Sequence, residues 1–100
     1  MLINITDTAA EQLTNMLKEQ GESTKKIRIM ITGVGWAGPR FGIALDEQKE
    51  DDRSFTKDDF EFILDQRLAN YSDSLTIDYR DSFLSKGFKI YFNSPFSGSC

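Results

Sequence analysis

A chain of 100 residues with a single cysteine, Cys100, and no histidine has few ways to do chemistry. Without imidazole there is no histidine triad, no histidine general base and no histidine ligand for zinc. A protein-only zinc site takes about four N, S or O ligands, and the soft ones are missing. Cys100 cannot close an intrachain disulfide. Its polar, terminal setting predicts an exposed thiol with a pKa near the ordinary ~8.5, so only a few per cent is thiolate at neutral pH without a metal. With no resolving cysteine beside it, the thiol makes a poor redox device. On composition alone it reads as a bystander.

Four other features are candidates for chemistry. Gly33-Val34-Gly35-Trp36-Ala37-Gly38 matches the G-x-G-x-x-G fingerprint and follows a strand-like run. A dinucleotide site also needs a helix N-terminus directly after the glycines, where backbone N–H groups meet the pyrophosphate. Here Pro39 leads into another alternating run, so the stretch reads as a flexible loop whose glycines allow positive φ. The acidic group Asp46, Glu47, Glu50, Asp51 and Asp52 lacks the spacing of a calcium loop. Lys49 and Arg53 dilute it, and it reads as a solvated turn. Asp58-Asp59 reads as turn chemistry rather than an acid–base pair, because strand neighbours point to opposite faces. Trp36, a large aromatic among glycines, is either a packed plug or an exposed contact residue, and packing, including at a subunit interface, is the favoured reading.

These residues need elements to hold them. Residues 6–20 carry an amphipathic helical pattern through Ala9, Leu13, Met16 and Leu17. Thr6 or Thr8 can cap it, Thr8-Ala9-Ala10-Glu11 fits a capping box, and Gly21 can stop it. Strand alternation follows at Ile27-Ile29-Ile31 and Phe41-Ile43-Leu45. Residues 46–54 read as an exposed connection, and Phe55 begins a short strand. Alternation returns at Phe60-Phe62-Leu64, Leu75-Ile77-Tyr79 and Phe88-Ile90-Phe92, with one or two helical turns over 65–71. Residues 1–100 therefore predict a single α+β domain, one helix before an antiparallel-leaning sheet region. The tail 93–100 is turn-rich and expected to be flexible.

Composition narrows the partners. The net charge is −4 and no basic stripe exists, which argues against nucleic acid. No apolar run approaches the ~18–20 residues of a bilayer span, and the N-terminus lacks a basic region followed by an apolar one. The expected location is cytoplasmic, with no membrane partner.

The order of these segments resembles the HesB/IscA-type family of iron–sulfur cluster assembly proteins. The resemblance begins at Thr6-Asp7-Thr8-Ala9-Ala10-Glu11-Gln12-Leu13 and at Ile27-Arg28-Ile29. It is closest over Gly35-Trp36-Ala37-Gly38-Pro39-Arg40-Phe41-Gly42-Ile43-Ala44-Leu45-Asp46-Glu47. It continues at Leu75-Thr76-Ile77-Asp78-Tyr79 and Gly87-Phe88-Lys89-Ile90, so it spans nearly the whole chain. It implies a compact β-rich sandwich with the N-terminal helix packed on it. It also implies a homo-oligomer, iron or iron–sulfur cluster binding, and apo-protein clients or other assembly proteins as partners.

The family's ligands are three cysteines, one in the glycine-rich segment and two in a C-terminal C-G-C or C-G-x-C. Here Trp36 stands at the first position, and the tail reads Ser97-Gly98-Ser99-Cys100. Matched to C-G-x-C, Ser97 replaces one thiol and Cys100 keeps the other. Matched to C-G-C, Ser97 and Ser99 replace both, and Cys100 lies one residue beyond. Serine oxygen is a poorer cluster ligand than thiolate. The expectation is a divergent, non-enzymatic carrier-like protein with weakened or lost cluster binding and Cys100 as its metal ligand. The alternative is a protein-interaction module on the same fold without metal.

Overall fold

A computed structural model describes residues 2–21, 25–36, 38–71, 73–83 and 86–93. The elements run β1 (Leu2–Ile5), α1 (Asp7–Gln20), β2 (Lys26–Gly35), β3 (Gly38–Asp46), β4 (Asp52–Lys57), β5 (Phe60–Asp65), α2 (Gln66–Ala69), β6 (Ser74–Asp81) and β7 (Lys86–Asn93). They form a three-stranded sheet, ordered β1-β6-β7, and a four-stranded sheet, ordered β3-β2-β5-β4. The α+β expectation of a helix on a β-rich sandwich holds.

Helix α1 starts where Thr6 accepts a hydrogen bond from the Ala9 amide at 3.2 Å, and Gly21 ends it at φ 67°. The Thr8–Glu11 capping box is not the device used, because Thr8 already lies inside the helix. The Thr6 hydroxyl also donates to Asp78 Oδ1 at 2.8 Å, which ties the start of the helix to β6. Ala9 and Leu13 are fully buried against Ile3, Leu75 and Ile77 among others. Burying a leucine side chain contributes about 1.5–3 kcal/mol, so this stripe fixes the helix on the sheets.

Three strand pairs are antiparallel, β2–β3, β4–β5 and β6–β7. Two are parallel, β1–β6 and β2–β5. Strand β1 carries no pattern long enough to be legible in the sequence. It is held by register with β6, Ile3 opposite Leu75 and Ile5 opposite Ile77. The Asp58-Asp59 turn is as expected: both residues have positive φ, 51° and 71°, and they join Lys57 to its partner Phe60 in a two-residue hairpin. The two sheets meet where β3 touches β7, with the rings of Phe41 and Phe92 4.6 Å apart.

Candidate functional site: the β2–β3 hairpin

The glycine-rich segment is not a loop. Val34 pairs with Pro39 and Gly35 with Gly38, so the ladder runs on to the edge of the turn that holds Trp36. Neither Gly33 nor Gly35 has a positive φ. The glycines answer to crowding instead. A Cβ on Gly42 would sit 2.6 Å from the Thr32 methyl, and one on Gly35 would sit 3.1 Å from Arg40 Nε. Thr32 is an extra residue in β2, since Ile31 faces Phe41 while Gly33 faces Arg40. Such a bulge sharpens twist and re-aims neighbouring side chains.

Strand β5 pairs with β2 only at Ile27 and Arg28, so the outer half of β2 has β3 as its single partner. The hairpin thus extends beyond the sheet as a two-stranded ribbon. It presents Ile31 at 53% exposure, Val34 at 83% and Trp36 at 106%. Among the described residues nothing covers Trp36, so a packed role would need a second copy of the chain, and the exposure equally suits a partner contact. A ribbon tip without a third strand has no surface to cover an indole.

At its base the hairpin is clamped. Arg28 Nη1 and Nη2 donate to Asp52 Oδ1 and Oδ2 at 2.8 and 2.6 Å. Its Nε donates to Asp46 Oδ2 at 2.6 Å, and Nη2 also reaches the Glu47 carbonyl at 3.2 Å. Asp52 accepts a further bond from the Lys49 amide at 2.8 Å. The Asp52 side chain is only 4% exposed and that of Arg28 13%. Hydrogen bonding from Arg28 holds the Asp52 carboxyl at about 2, below the ordinary carboxylate value, and lowers Asp46 as well. The same bonds raise the Arg28 pKa. The acidic group at 46–52 is therefore not simply a solvated turn. Two of its carboxylates turn inward to neutralise one guanidinium, and β4 begins at Asp52 rather than at Phe55.

Beside the clamp lies a cavity of about 440 Å³, lined by Met30, Ile31, Phe41, Leu68 and Tyr71 among others. Asp65 caps α2 at its edge, accepting from the Arg67 amide at 2.9 Å, and its pKa is lowered by the Arg67 side chain.

Among the described residues no group of three or more His, Cys, Asp or Glu could hold a metal ion. Asp46 and Asp52 are already committed to Arg28. The expected ligand Cys100, with Ser97 and Ser99, lies outside the described residues, as do residues 94–100 of the tail expected to be flexible, whereas Asn93 ends β7. Sequence reasoning missed the Arg28 clamp. Its signal was a charged residue inside an apolar alternation, Ile27-Arg28-Ile29, with a run of carboxylates downstream.

A two-sheet domain with one cap-anchored helix and a projecting hairpin is the fold of a known class. The family model described as iron–sulphur cluster biosynthesis matches residues 1–99, and the chain belongs to that family. The chain is 31% identical over 95 residues to the iron–sulfur cluster insertion protein ErpA of Psychrobacter cryohalolentis, covering 94% of this chain and 74% of that protein. It is 32% identical over 89 residues to the iron–sulfur cluster insertion protein ErpA 2 of Methylococcus capsulatus, covering 88% and 68%. Solved structures agree on the fold. A protein from Aquifex aeolicus superposes with a TM-score of 0.70 at 23% identity, over 93% of both chains. IscA with the [2Fe-2S] cluster does so with a TM-score of 0.66 at 18% identity, over 97% of this chain and 86% of that one. Among the described residues no helix is long and apolar enough to cross a membrane.

Proposed function

We propose that this chain serves iron–sulfur cluster biosynthesis as a carrier or insertion factor whose own grip on a cluster is weak. The whole-length family match supports the first half of this reading. The single observation that carries the second half is Trp36 in the hairpin turn, where the family resemblance expects a thiol, with serine at one or both of the two tail positions according to the alignment. Cluster and iron are cargo here, and the chain turns over no substrate.

A two-iron cluster takes about four protein ligands. One chain supplies one thiolate and a homodimer two, both from Cys100. The remaining ligands come from a small thiol, an assembly partner or an apo-protein client. Such sharing suits handover, because a cargo held by few bonds leaves easily. Cytoplasmic residence and self-association belong to the same reading. The comparisons favour it over a fold kept for protein contact alone.

Anaerobic reconstitution with ferrous iron and sulfide tests it, run beside Cys100→Ala. Expected is a faint thiolate–iron absorption in the unaltered protein, strengthened by added thiol and lost in the variant. A cluster bound with ordinary strength by Cys100→Ala would overturn the ligand assignment.

A further inference from the structure

A second cleft, of about 580 Å³, lies on the line where the two sheets meet, and no part of the cluster reading uses it. Its walls are β3 and β7, with Thr32, Arg40, Phe41, Phe88, Lys89 and Tyr91 among the lining residues. Two cationic residues, Arg40 and Lys89, are among its lining and, among the described residues, no carboxylate is; the Arg40 guanidinium rests over Gly35 of β2 and would have to swing to reach a ligand in the cleft. In a chain of net charge −4 that local sign runs against the whole.

Among the described residues, Lys26, Arg28, Lys49, Arg67 and Arg80 stand in ion pairs, and no ion pair of Arg40 or Lys89 is seen there. Lys89 stands opposite Asp78 in the β6–β7 register. The Asp78 carboxylate nevertheless serves the Thr6 hydroxyl and the Tyr79 amide, and it lies 3.7 Å from Arg80 Nε. Two unpaired cations flanking an apolar floor can therefore gain an anionic partner without first breaking an internal pair.

The shape selects the kind of anion. Strand β3 ends the four-stranded sheet and β7 ends the three-stranded one, so each carries a backbone edge unused by its own sheet. Unused edges receive extended chain, with main-chain hydrogen bonds giving affinity and alternate side chains giving specificity. Nucleic acid fits poorly, since its phosphates would meet the acidic remainder of the surface.

We propose that the β3–β7 cleft docks an extended acidic segment of a partner protein. Its carboxylates meet Arg40 and Lys89, and its intervening apolar side chains rest on Phe41 and Phe88. This docking is independent of any metal, so it stands or falls separately from the cluster reading.

The test is fluorescence anisotropy with the full chain and a fluorescein-labelled peptide of alternating glutamate and valine, about ten residues long. Saturable binding is expected, weakening by about tenfold or more between ~50 and ~500 mM salt. Arg40→Glu and Lys89→Glu should each cut affinity by about tenfold or more, and Lys57→Glu on β4, at the opposite sheet edge, should not. Arg40→Gln and Lys89→Gln should give intermediate losses, and circular dichroism checks that every variant folds. Binding no tighter than that of a control peptide of alternating lysine and valine, or unchanged in both charge reversals, overturns the proposal. So does full competition by free glutamate or inorganic phosphate at equal concentration, which would make the cleft a small-anion site.

Discussion

Replacing Arg28 by methionine removes the clamp at the hairpin base while keeping most of the side-chain volume. Asp52 would then be a carboxylate 4% exposed to solvent, left with the Lys49 amide as its remaining hydrogen-bond donor among the described residues. Breaking a fully buried pair by removing one partner costs about 3–5 kcal/mol. The clamp borders an exposed connection, and the Asp46 side chain is 37% exposed, so relaxation and solvent reduce that to about 2–3 kcal/mol. For a domain of this size, 1 kcal/mol moves Tm by about 4–8 °C, giving a fall of about 10–20 °C. Acid adds a second signature. Asp52 titrates at about 2 in the folded protein, below its ordinary value of 3.8. A depressed carboxylate stabilises the fold above its unfolded pKa, and that stability is lost as pH falls from about 4 through 2. After allowance for screening this is worth about 1–2 kcal/mol. Asp46 acts with the same sign. Urea melts of both proteins across this window should show the unaltered protein weakening as pH falls and Arg28→Met flat or reversed. A stability loss under about 0.5 kcal/mol, with matching pH profiles, would refute the clamp as a stabilising feature.

Three further outcomes follow from the same geometry. Gly42→Ala should cost about 1–3 kcal/mol by overpacking against the Thr32 methyl, and Thr32→Ala in the same chain should restore most of it; denaturant midpoints of the single and double variants decide this. Thr6→Ala removes both the α1 cap and the bond to Asp78, so thermal melts should report a loss of about 1–2 kcal/mol, whereas Thr8→Ala should be near neutral. Trp36→Ala should leave stability within about 0.5 kcal/mol, because among the described residues nothing covers the indole. If the hairpin tip is a contact surface, as the exposed Ile31, Val34 and Trp36 suggest, sedimentation of Trp36→Ala should show weaker self-association.

Much of this architecture is written locally. The 3.6-residue stripe of α1 and the alternations at Ile27-Ile29, Phe60-Phe62-Leu64 and Leu75-Ile77 each declare a buried face that needs no distant partner to be read. The hairpin misled for a physical reason. Glycine is a turn signal in isolation, yet Gly42 is held to glycine by the Thr32 methyl across the ribbon and Gly35 is crowded by the Arg40 guanidinium, neighbour relations that appear only once β2 and β3 are in register. Strand β1 was invisible because its stabilising pairing is with β6, more than seventy residues away. The same non-locality hid the clamp: Arg28, Asp46 and Asp52 lie on different strands, and composition shows their charges but not their convergence. The cluster-related residues were legible only through family resemblance, since a lone thiol and a tryptophan have no spacing rule of their own.

On the proposed reading this chain keeps the family fold while its hold on a cluster is weakened at the hairpin turn. Placing a thiol there is the decisive perturbation. Trp36→Cys and the unaltered protein would be reconstituted anaerobically side by side, with iron per chain and thiolate–iron absorption as the readouts. A clear gain in bound iron and absorption is expected for Trp36→Cys, dependent on Cys100. A high, stable cluster content in the unaltered protein, not increased by the new thiol, would contradict it.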